Sequence, residues 1–286
     1  MKFSKVYVEL TNICGLKCSF CPTKDLQNST MSLEFFEDIL KQLKNYTNTI
    51  TYHIFGDPLV LSNLQDYLDL TYKHNLKVEI VTTGYYLNNF DLDIFLHPAI
   101  KQINFSLNSF DKNDMKISLQ TYLNPMIKLA KLKIEKNIDY FINFRLWNLT
   151  NNQETNSFNQ KVYNILEKVF NTPLDNIDTS KSIRLDKKVL IDFDNYFQWP
   201  SINSTHYSQG TCYGLRSHFG ILSSGIVVPC CLDSFGIINL GNLHYNSLDN
   251  ILTSKRTTKI IDGFKNNIAY EKLCQKCSFK DRFQLH

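Results

Sequence analysis

The sequence predicts an α/β protein with a parallel sheet, followed by a small cysteine-rich region. Over the first 200 residues, short apolar runs alternate with amphipathic helical patterns, an order typical of parallel strands joined by right-handed crossovers. Three cysteines follow the first of these runs, and five more lie beyond residue 200. With 286 residues, 43% of them hydrophobic, the chain is long enough for one large domain with a smaller one attached.

Six apolar runs have the length and composition of strands. The predicted strands are Val6–Leu10, Ile50–Phe55, Lys77–Thr82, Lys101–Leu107, Asp139–Leu146 and Lys188–Phe193. Helical patterns fill most of the intervals between them, so the six units predict one parallel sheet.

Helical periodicity defines the segments between the strands. Ser32 is the predicted N-cap of the first helix, because apolar residues recur at helical spacing behind it. Ser62 and Gln65 form a predicted capping box at the start of the second helix. The stretch between the fourth and fifth strands is helical, and we expect Pro125 to break or kink it. A further helix is predicted over Ser157–Phe170.

The loop after the first strand carries the motif Cys14-Gly-Leu-Lys-Cys18-Ser-Phe-Cys21. Thiolates at this spacing converge on one small inorganic centre, and thiolate is the ligand that selects iron–sulfur clusters and zinc. Structural zinc sites and ordinary electron-transfer clusters use four protein ligands, yet no further cysteine occurs in the next 190 residues. The motif therefore predicts an iron centre with one position open to a ligand other than protein. The alternative is three unrelated buried cysteines in one loop.

This motif, with the aromatic Phe20 before its last cysteine, resembles that of the radical S-adenosylmethionine (radical SAM) superfamily. The resemblance implies a partial (β/α)6 TIM-like barrel, which strand–helix alternation alone does not distinguish from an open sheet. It also implies a [4Fe–4S] cluster on Cys14, Cys18 and Cys21. That cluster would bind the methionine end of S-adenosylmethionine and cleave it reductively to a 5′-deoxyadenosyl radical. Phe20 would lie among the cofactor contacts.

The second predicted strand ends in Phe55-Gly56-Asp57-Pro58, where glycine permits close backbone approach and proline fixes the turn. The segment resembles the Gly-Gly-Glu-Pro motif of the superfamily, whose backbone carbonyls bind the methionine ammonium. Phe55 replaces the first glycine and Asp57 replaces the glutamate, so the match is partial. The resemblance implies that Gly56, Asp57 and Pro58 contact S-adenosylmethionine. An ordinary Gly-Asp-Pro turn is the alternative.

Polar residues also end the third and fourth predicted strands. Thr83-Gly84 resembles the Thr-Asn-Gly turn of the superfamily. Ser106 and Asn108 are placed to meet the ribose or the carboxylate of S-adenosylmethionine. In parallel β/α folds the carboxyl ends of the strands form the site, so we expect these side chains to lie with the cluster loop.

Asn143 and Arg145 alternate with apolar residues along the fifth strand and therefore share one face of it. A buried arginine needs an anion, and its planar fork suits the carboxylate of S-adenosylmethionine. The alternative is a structural ion pair with Glu9 or an aspartate. Glu9, which flanks the cluster loop, either faces the substrate or caps the loop backbone.

An oxidation that removes a hydrogen atom and an electron also needs a base for the remaining proton. The candidates are Asp57, Asp192 and Asp194, with Arg145 as a further possibility. For Asp192 and Asp194, at the end of the sixth predicted strand, the alternative is an ordinary solvated loop carboxylate.

The C-terminal region holds Cys212, Cys230, Cys231, Cys274 and Cys277 among glycines and short strand patterns. Adjacent residues in extended backbone point in opposite directions, so only one of Cys230 and Cys231 easily joins a shared centre. Four thiolates then remain, which suits either a zinc ribbon or a complete iron–sulfur cluster. A tight turn would present Cys231 in place of Cys230.

The spacing Gly225-x4-Cys230, with a cysteine ahead of it and C-x2-C behind it, resembles the SPASM and twitch extensions of the superfamily. The resemblance selects Cys230 over Cys231 as the ligand. It implies a β-hairpin plus helix, a twitch domain, that holds one auxiliary [4Fe–4S] cluster on Cys212, Cys230, Cys274 and Cys277. The chain would then divide into a radical SAM core over residues 1–200 and a twitch/SPASM-like domain over residues 201–286. Zinc in the second site is the alternative.

Composition sets limits on partners and location. The net charge of +4 favours anionic partners only weakly and does not amount to a nucleic-acid signature. The N-terminus lacks the apolar segment of a signal peptide, and no apolar run is long enough to span a membrane. We therefore expect a cytoplasmic protein without a membrane partner, in which the eight cysteines bind metal rather than form disulfides.

Two [4Fe–4S] clusters and S-adenosylmethionine together imply a radical oxidoreductase. The leading expectation is dehydrogenation of a small molecule with the auxiliary cluster as electron acceptor, since the layout is similar to the 2-deoxy-scyllo-inosamine dehydrogenase type. A flavodoxin- or ferredoxin-type protein would act as reductant. The alternative is a maturase that modifies a peptide or protein. A non-enzymatic, cluster- or zinc-bearing RNA-binding protein is a third reading, and it leaves the open three-cysteine site unexplained.

Overall fold

One twisted sheet organises the molecule, whose structure is a computed structural model that describes residues 2–22, 26–149 and 153–283. The strands in these ranges are β1 (Val6–Val8), β2 (Thr49–Tyr52), β3 (Lys77–Thr82), β4 (Ile100–Ser106), β5 (Phe141–Leu149), β6 (Ile183–Asp186), β7 (Val189–Asn195), β8 (Gly220–Ile221) and β9 (Val227–Val228). They lie side by side in the order β6-β7-β5-β4-β3-β2-β1-β8-β9. The sheet is not closed into a barrel, because its edges are the different strands β6 and β9.

The six predicted strands are present as β1, β2, β3, β4, β5 and β7, and each is parallel to its neighbour. The prediction of an α/β partial barrel is therefore confirmed. β6 was not expected. It is a short edge strand that pairs with β7 in antiparallel fashion, and its mixed sequence Ile-Arg-Leu-Asp lacks the apolar continuity of the inner strands.

Helices connect most of the parallel strands, and short 3₁₀ segments replace a full helix between β3 and β4. The helices of the described ranges are α1 (Leu33–Leu43), α2 (Leu64–Lys73), α3 (Asn108–Asp111), α4 (Leu119–Glu135), α5 (Gln153–Phe170), α6 (Leu248–Leu252), α7 (Lys255–Lys265) and α8 (Lys272–Gln275). None of the helices in these ranges has the length and apolarity needed to cross a membrane.

Of the predictions about helix caps, one is confirmed and one is wrong. Ser32 caps α1, with its hydroxyl accepting from the Phe35 amide. Ser62 does not cap α2, which begins after Asn63 without a side-chain cap. Pro125 does not break α4, which continues through it. The proline lies on the buried side of this helix, where packing against the sheet stabilises the helix despite the missing amide.

The C-terminal region is joined to the sheet rather than set beside it. β8 pairs with β1 in parallel, with Tyr7 opposite Gly220 and Val8 opposite Ile221, and β9 folds back on β8 as the predicted hairpin. The same continuous core contains buried side chains from both regions. The predicted boundary near residue 200 remains a prediction, since the sheet and the core both cross it.

Candidate active site

The loop that carries Cys14, Cys18 and Cys21 leaves β1 at the carboxyl edge of the sheet. Hydrogen bonding with the Cys21 thiol and with the side chain of Asn113 lowers the pKa of Cys18 to about 6, although its burial acts in the opposite direction. The Asn113 amide lies 3.0 Å from the Cys18 sulfur, and its carbonyl accepts from the Lys17 amide at 2.9 Å. Asn113 therefore favours the thiolate that metal ligation requires.

Gly56 lies directly against this loop. A Cβ at Gly56 would fall 1.9 Å from the carbonyl oxygen of Thr11, so no other residue fits there without moving the backbone. The next amide, that of Asp57, donates to the Ile13 carbonyl at 2.9 Å. The predicted Gly-Asp-Pro segment thus fixes the base of the cysteine loop, which is a close backbone approach of the expected kind.

Asp57 joins the loops that follow β2 and β3. Its side chain is 2% exposed, and its two oxygens accept from the hydroxyls of Thr82 and Thr83 and from the amides of Thr83 and Leu59 at 2.7–3.0 Å. Burial raises the pKa of Asp57, and these hydrogen bonds oppose the rise. Because its two oxygens already accept from four donors, the arrangement favours a positioning role for Asp57 over that of a base.

The other residues predicted at the strand ends lie around Asp57. Pro58 begins a buried 3₁₀ turn. Gly84 has φ +75°, and a Cβ there would meet the side chain of Met126 at 2.4 Å. Ser106 and Asn108 border the same cavity as the cysteine loop. Phe20 also borders it and packs against Tyr196, with ring centroids 5.9 Å apart.

A cavity of about 590 Å³ connects the two groups of cysteines. Cys14, Cys18 and Cys21 border it, and so do all five cysteines of the C-terminal region. This volume is typical of a site for a small organic ligand. A ligand in the cavity would therefore lie between both cysteine groups.

Arg145 projects into this cavity from β5. Its guanidinium carbon lies 3.7 Å from the ring centre of Trp147, and Nη2 donates to the Ser106 hydroxyl at 3.3 Å. Nε is buried without a hydrogen-bond partner among the described residues. Burial lowers the pKa of Arg145 to about 10, against the nearby charge of Asp192. The guanidinium remains a cation at neutral pH, with donor capacity to spare for a bound anion.

Asn143 is engaged within the sheet. Its amide donates to the side-chain oxygen of Asn104 at 3.1 Å, and Gln102 donates to the same oxygen at 2.8 Å. Asn143 and Arg145 thus share a face of β5, as expected, and each borders the cavity while donating to a side chain of β4.

Asp192 and Asp194 occupy different surroundings. Asp192 borders the cavity and accepts from Trp147 Nε1 at 2.9 Å and from the Ser182 hydroxyl at 2.7 Å. Asp194 forms an ion pair with Arg282 at 3.0 Å, with both side chains about one-third exposed. Of the three predicted carboxylates, Asp192 is therefore the one that lies in the cavity with room for a further partner.

The five C-terminal cysteines influence one another. Burial raises the pKa of the thiols of Cys212, Cys230, Cys274 and Cys277, and neighbouring thiols raise it further, with Cys231 acting on Cys230 and Cys212 acting on Cys274. Burial also raises the pKa of Cys231 to about 11, but its hydrogen-bond partner is Tyr7, on β1. No three His, Cys, Asp or Glu side chains of the described ranges are close enough to hold a single metal ion.

Sequence reasoning left the role of Glu9 open and missed Tyr7 and Asn113. Glu9 is 3% exposed and accepts from the amides of Phe55 and Ser223, at 3.1 and 3.0 Å. It caps backbone and does not pair with Arg145. Tyr7 alternates with the buried Val6 and Val8, so strand parity was a usable signal that it faces the cavity. For Asn113, nothing in the sequence indicated contact with a cysteine 95 residues earlier.

Comparison with known proteins identifies both regions. The family model of the radical SAM superfamily matches residues 8–151, which is half of the chain. The model of SPASM, described as an iron–sulfur cluster-binding domain, matches residues 212–278. The two matches contain the two groups of cysteines.

One curated protein and many solved structures are similar to the chain. The S-adenosyl-L-methionine-dependent 2-deoxy-scyllo-inosamine dehydrogenase of Niallia circulans is 27% identical over 92 residues, which are 30% of this chain and only 37% of that protein.

The crystal structure of BtrN in complex with AdoMet and 2-DOIA has a TM-score of 0.56 at 15% identity, over 97% of this chain and 94% of that one. Streptococcus suis SuiB bound to precursor peptide SuiA has a TM-score of 0.59 at 14% identity, over 99% and 73%.

At these identities the structural likeness shows a shared fold, whereas the family matches also cover the cysteine motifs themselves. The chain therefore belongs to the radical SAM superfamily and carries an iron–sulfur cluster-binding SPASM domain C-terminal to its radical SAM region.

Proposed function

We propose that this protein is a radical SAM oxidoreductase that dehydrogenates a small polar molecule bound between its two groups of cysteines. The observation that carries the proposal is the single cavity bordered by both groups. A substrate there would be within reach of the hydrogen-abstracting chemistry on one side and of an electron acceptor on the other. The partial match to a dehydrogenase of an aminocyclitol supports the same class of substrate.

The side chains fit two clusters and S-adenosylmethionine. Cys14, Cys18 and Cys21 would hold the first cluster, because they are the three thiols of one loop whose base is fixed by Gly56. The four thiols of Cys212, Cys230, Cys274 and Cys277 would have the donor set of a fully ligated cluster. Arg145 would meet the carboxylate of S-adenosylmethionine, since its buried Nε has no partner among the described residues.

Cys14, Cys18 and Cys21 would hold the cluster at which bound S-adenosylmethionine would supply an acceptor for a substrate hydrogen atom, and the C-terminal thiols would hold a cluster that would supply an electron acceptor. Removal of a hydrogen atom from a carbinol carbon, followed by an electron and the hydroxyl proton, leaves a carbonyl. We assign the proton to Asp192, which borders the cavity and retains acceptor capacity beside Arg145. Trp147 and Ser182 hold this carboxylate in place through their hydrogen bonds to it.

The test uses anaerobically reconstituted protein with S-adenosylmethionine, dithionite and 2-deoxy-scyllo-inosamine as the first probe. We expect about eight irons per chain, two clusters' worth, and 5′-deoxyadenosine that is absent with Cys14→Ala. Cys274→Ala should still form deoxyadenosine but no oxidised product. Zinc in the C-terminal site, or product formation without Cys274, would contradict the proposal.

A peptide substrate is the second candidate, and one observation favours it. A groove of about 570 Å³ lies beside the cavity and shares Phe20, Cys21, Tyr196, Phe197, Trp199 and Pro200 with it. An extended chain lying in this groove could place one side chain in the cavity. Incubation with a mixed peptide library, followed by mass spectrometry, distinguishes the two: a loss of two hydrogens or a new crosslink in peptides would favour the maturase.

A further inference from the structure

Lys280 is a fully buried cation in the C-terminal region. Its side chain is 1% exposed, which is rare for lysine. Its ammonium donates to the hydroxyl of Ser208 and to the backbone carbonyl of Cys277, the latter at 3.2 Å. The carbonyl belongs to one of the four cysteines, so the charge lies at the edge of the proposed auxiliary site.

One carboxylate near Lys280 offsets this charge incompletely. Asp281 lies 3.6 Å from the ammonium, but it is one-third exposed and also accepts from Ser208 at 2.7 Å and contacts His206 at 3.0 Å. A buried charge without close compensation is strongly unfavourable. A cluster on the four neighbouring cysteines would supply further negative charge beside the ammonium.

The ammonium lies directly against the proposed ligand set. It is 3.2 Å from the backbone oxygen of Cys277, and Lys280 borders the same cavity as the C-terminal cysteines. A cluster held by four thiolates carries a net negative charge, which increases when the cluster accepts an electron. A fixed cation in a low-dielectric surrounding therefore stabilises the reduced form more than the oxidised form.

We infer that Lys280 is the counter-charge of the auxiliary cluster and raises its reduction potential, so that the cluster accepts the substrate's electron readily. The inference rests on the proposed function, because it requires a cluster on Cys212, Cys230, Cys274 and Cys277. Lys280 borders the cavity, and the inferred role acts through the charge of the cluster. It is a positioning residue, because it holds a positive charge beside the cluster.

The experiment compares three single substitutions in the full-length chain. Each is made in a background with alanine at Cys14, Cys18 and Cys21, so that all iron measured belongs to the C-terminal site. Lys280→Met removes the buried cation, and Asp281→Asn removes the carboxylate that opposes it while keeping its shape. Lys272→Met is the matched control, because it removes an exposed lysine beside Cys274. Iron content is measured first, and a redox titration followed by electron paramagnetic resonance then gives the midpoint potential.

We expect about four irons per chain in the unsubstituted background, a lower potential for Lys280→Met, a higher potential for Asp281→Asn and no shift for Lys272→Met. Opposite shifts would not arise from a merely structural role. An equal potential in all three variants overturns the inference while leaving the cluster assignment intact. If the Lys280→Met protein does not hold iron, the Asp281→Asn protein provides the test. A midpoint potential of that variant equal to or lower than that of the background protein also overturns the inference. Zinc or no iron in the background protein refutes the cluster and the inference together.

Discussion

At the scale of single residues, Arg145 is oriented by a ring rather than by a paired charge. Its guanidinium carbon lies 3.7 Å from the ring centre of Trp147, and Asp192 accepts a hydrogen bond from Nε1 of that ring. The guanidinium is thereby held rigid with Nε directed at no protein acceptor among the described residues. A planar, preorganised donor pair of this kind recognises a carboxylate better than a lysine can.

We expect Arg145→Lys to weaken the binding of S-adenosylmethionine about tenfold or more, on the order of 1.4 kcal/mol. The lysine keeps the charge but loses both the fork and the stacking. Equilibrium binding to the iron-loaded protein measures the effect. Arg184→Lys, on exposed β6, is the control and should bind as the unsubstituted protein does. If both variants bind S-adenosylmethionine with equal affinity, the role of Arg145 is structural.

Two histidines beside Tyr7 make stability sensitive to mild acid. Burial lowers the pKa of His53 to about 3 and that of His218 to about 4, from an ordinary value of 6.5. The cations Arg145 and Lys5 add to the shift of His53, and Lys5 adds to that of His218. Below about pH 6.5 these two histidines therefore bind protons in the unfolded chain but stay neutral in the folded chain.

The free energy of unfolding should accordingly be level above pH 6.5 and fall as the pH is lowered to 5, a range in which most carboxylates stay charged. His53→Gln should reduce the slope, whatever it does to the absolute stability. Urea unfolding at several pH values measures the dependence of the free energy of unfolding on pH. A slope unaffected by His53→Gln would show that the buried imidazole is not responsible.

At the scale of elements, the strand ends are tied to each other before any ligand binds. Asp57 holds the loops after β2 and β3 together, and the adjacent Gly56 lies against the cysteine loop after β1. Three neighbouring strands thus deliver their loops as one preformed unit. Preorganisation of this kind is what precise placement of a cluster and its cofactor requires.

Asp57→Asn should lower the free energy of unfolding by about 1–3 kcal/mol, since an amide NH₂ would face buried hydroxyl and amide donors. The expected loss includes iron from Cys14, Cys18 and Cys21, because the loop base loosens. Urea unfolding and iron content are the measurements. Asp66→Asn, on the exposed side of α2, should change neither. A stable, fully loaded Asp57→Asn protein would contradict the role of this carboxylate.

The sequence was sufficient to predict the inner strands and the three-cysteine loop, for physical reasons. Buried parallel strands need continuous apolar runs, and metal-binding thiols need short spacing, so both leave local signals. The partners of Asp57 lie some 25 residues away, and those of Glu9 lie as far as 214 residues away. Such contacts depend on the assembled sheet and leave no local pattern. Ser62 failed as a cap because a capping box is also compatible with a turn that starts one residue later.

At the scale of the whole molecule, Glu9 connects the core to the cysteine-rich region. One oxygen accepts from the Phe55 amide, and the other accepts from the amide and hydroxyl of Ser223. Together with the pairing of β8 on β1, this contact makes the two regions parts of one structural unit.

Glu9→Gln should destabilise both regions at once. The amide can replace one acceptor but directs donors at the other, which costs about 1–3 kcal/mol. In hydrogen exchange, we expect amides of β1 and of β8 to lose protection together. Glu34→Gln, exposed on α1, should leave both protected. Loss of protection in β8 with β1 unchanged would indicate two independent units.

The parallel pairing of β8 with β1 also limits how this protein can be recombined with its relatives. A chimaera cut near residue 200 would look reasonable from the sequence, but the incoming segment must supply a strand that continues a foreign sheet edge in register. It must also bring a small residue at Gly220, where a Cβ would lie 2.8 Å from Val228 and 3.0 Å from Ile54. Transplantation should therefore succeed only when β1 and its loop travel with the C-terminal region, so that the unit of exchange is an interleaved pair of segments rather than a tail.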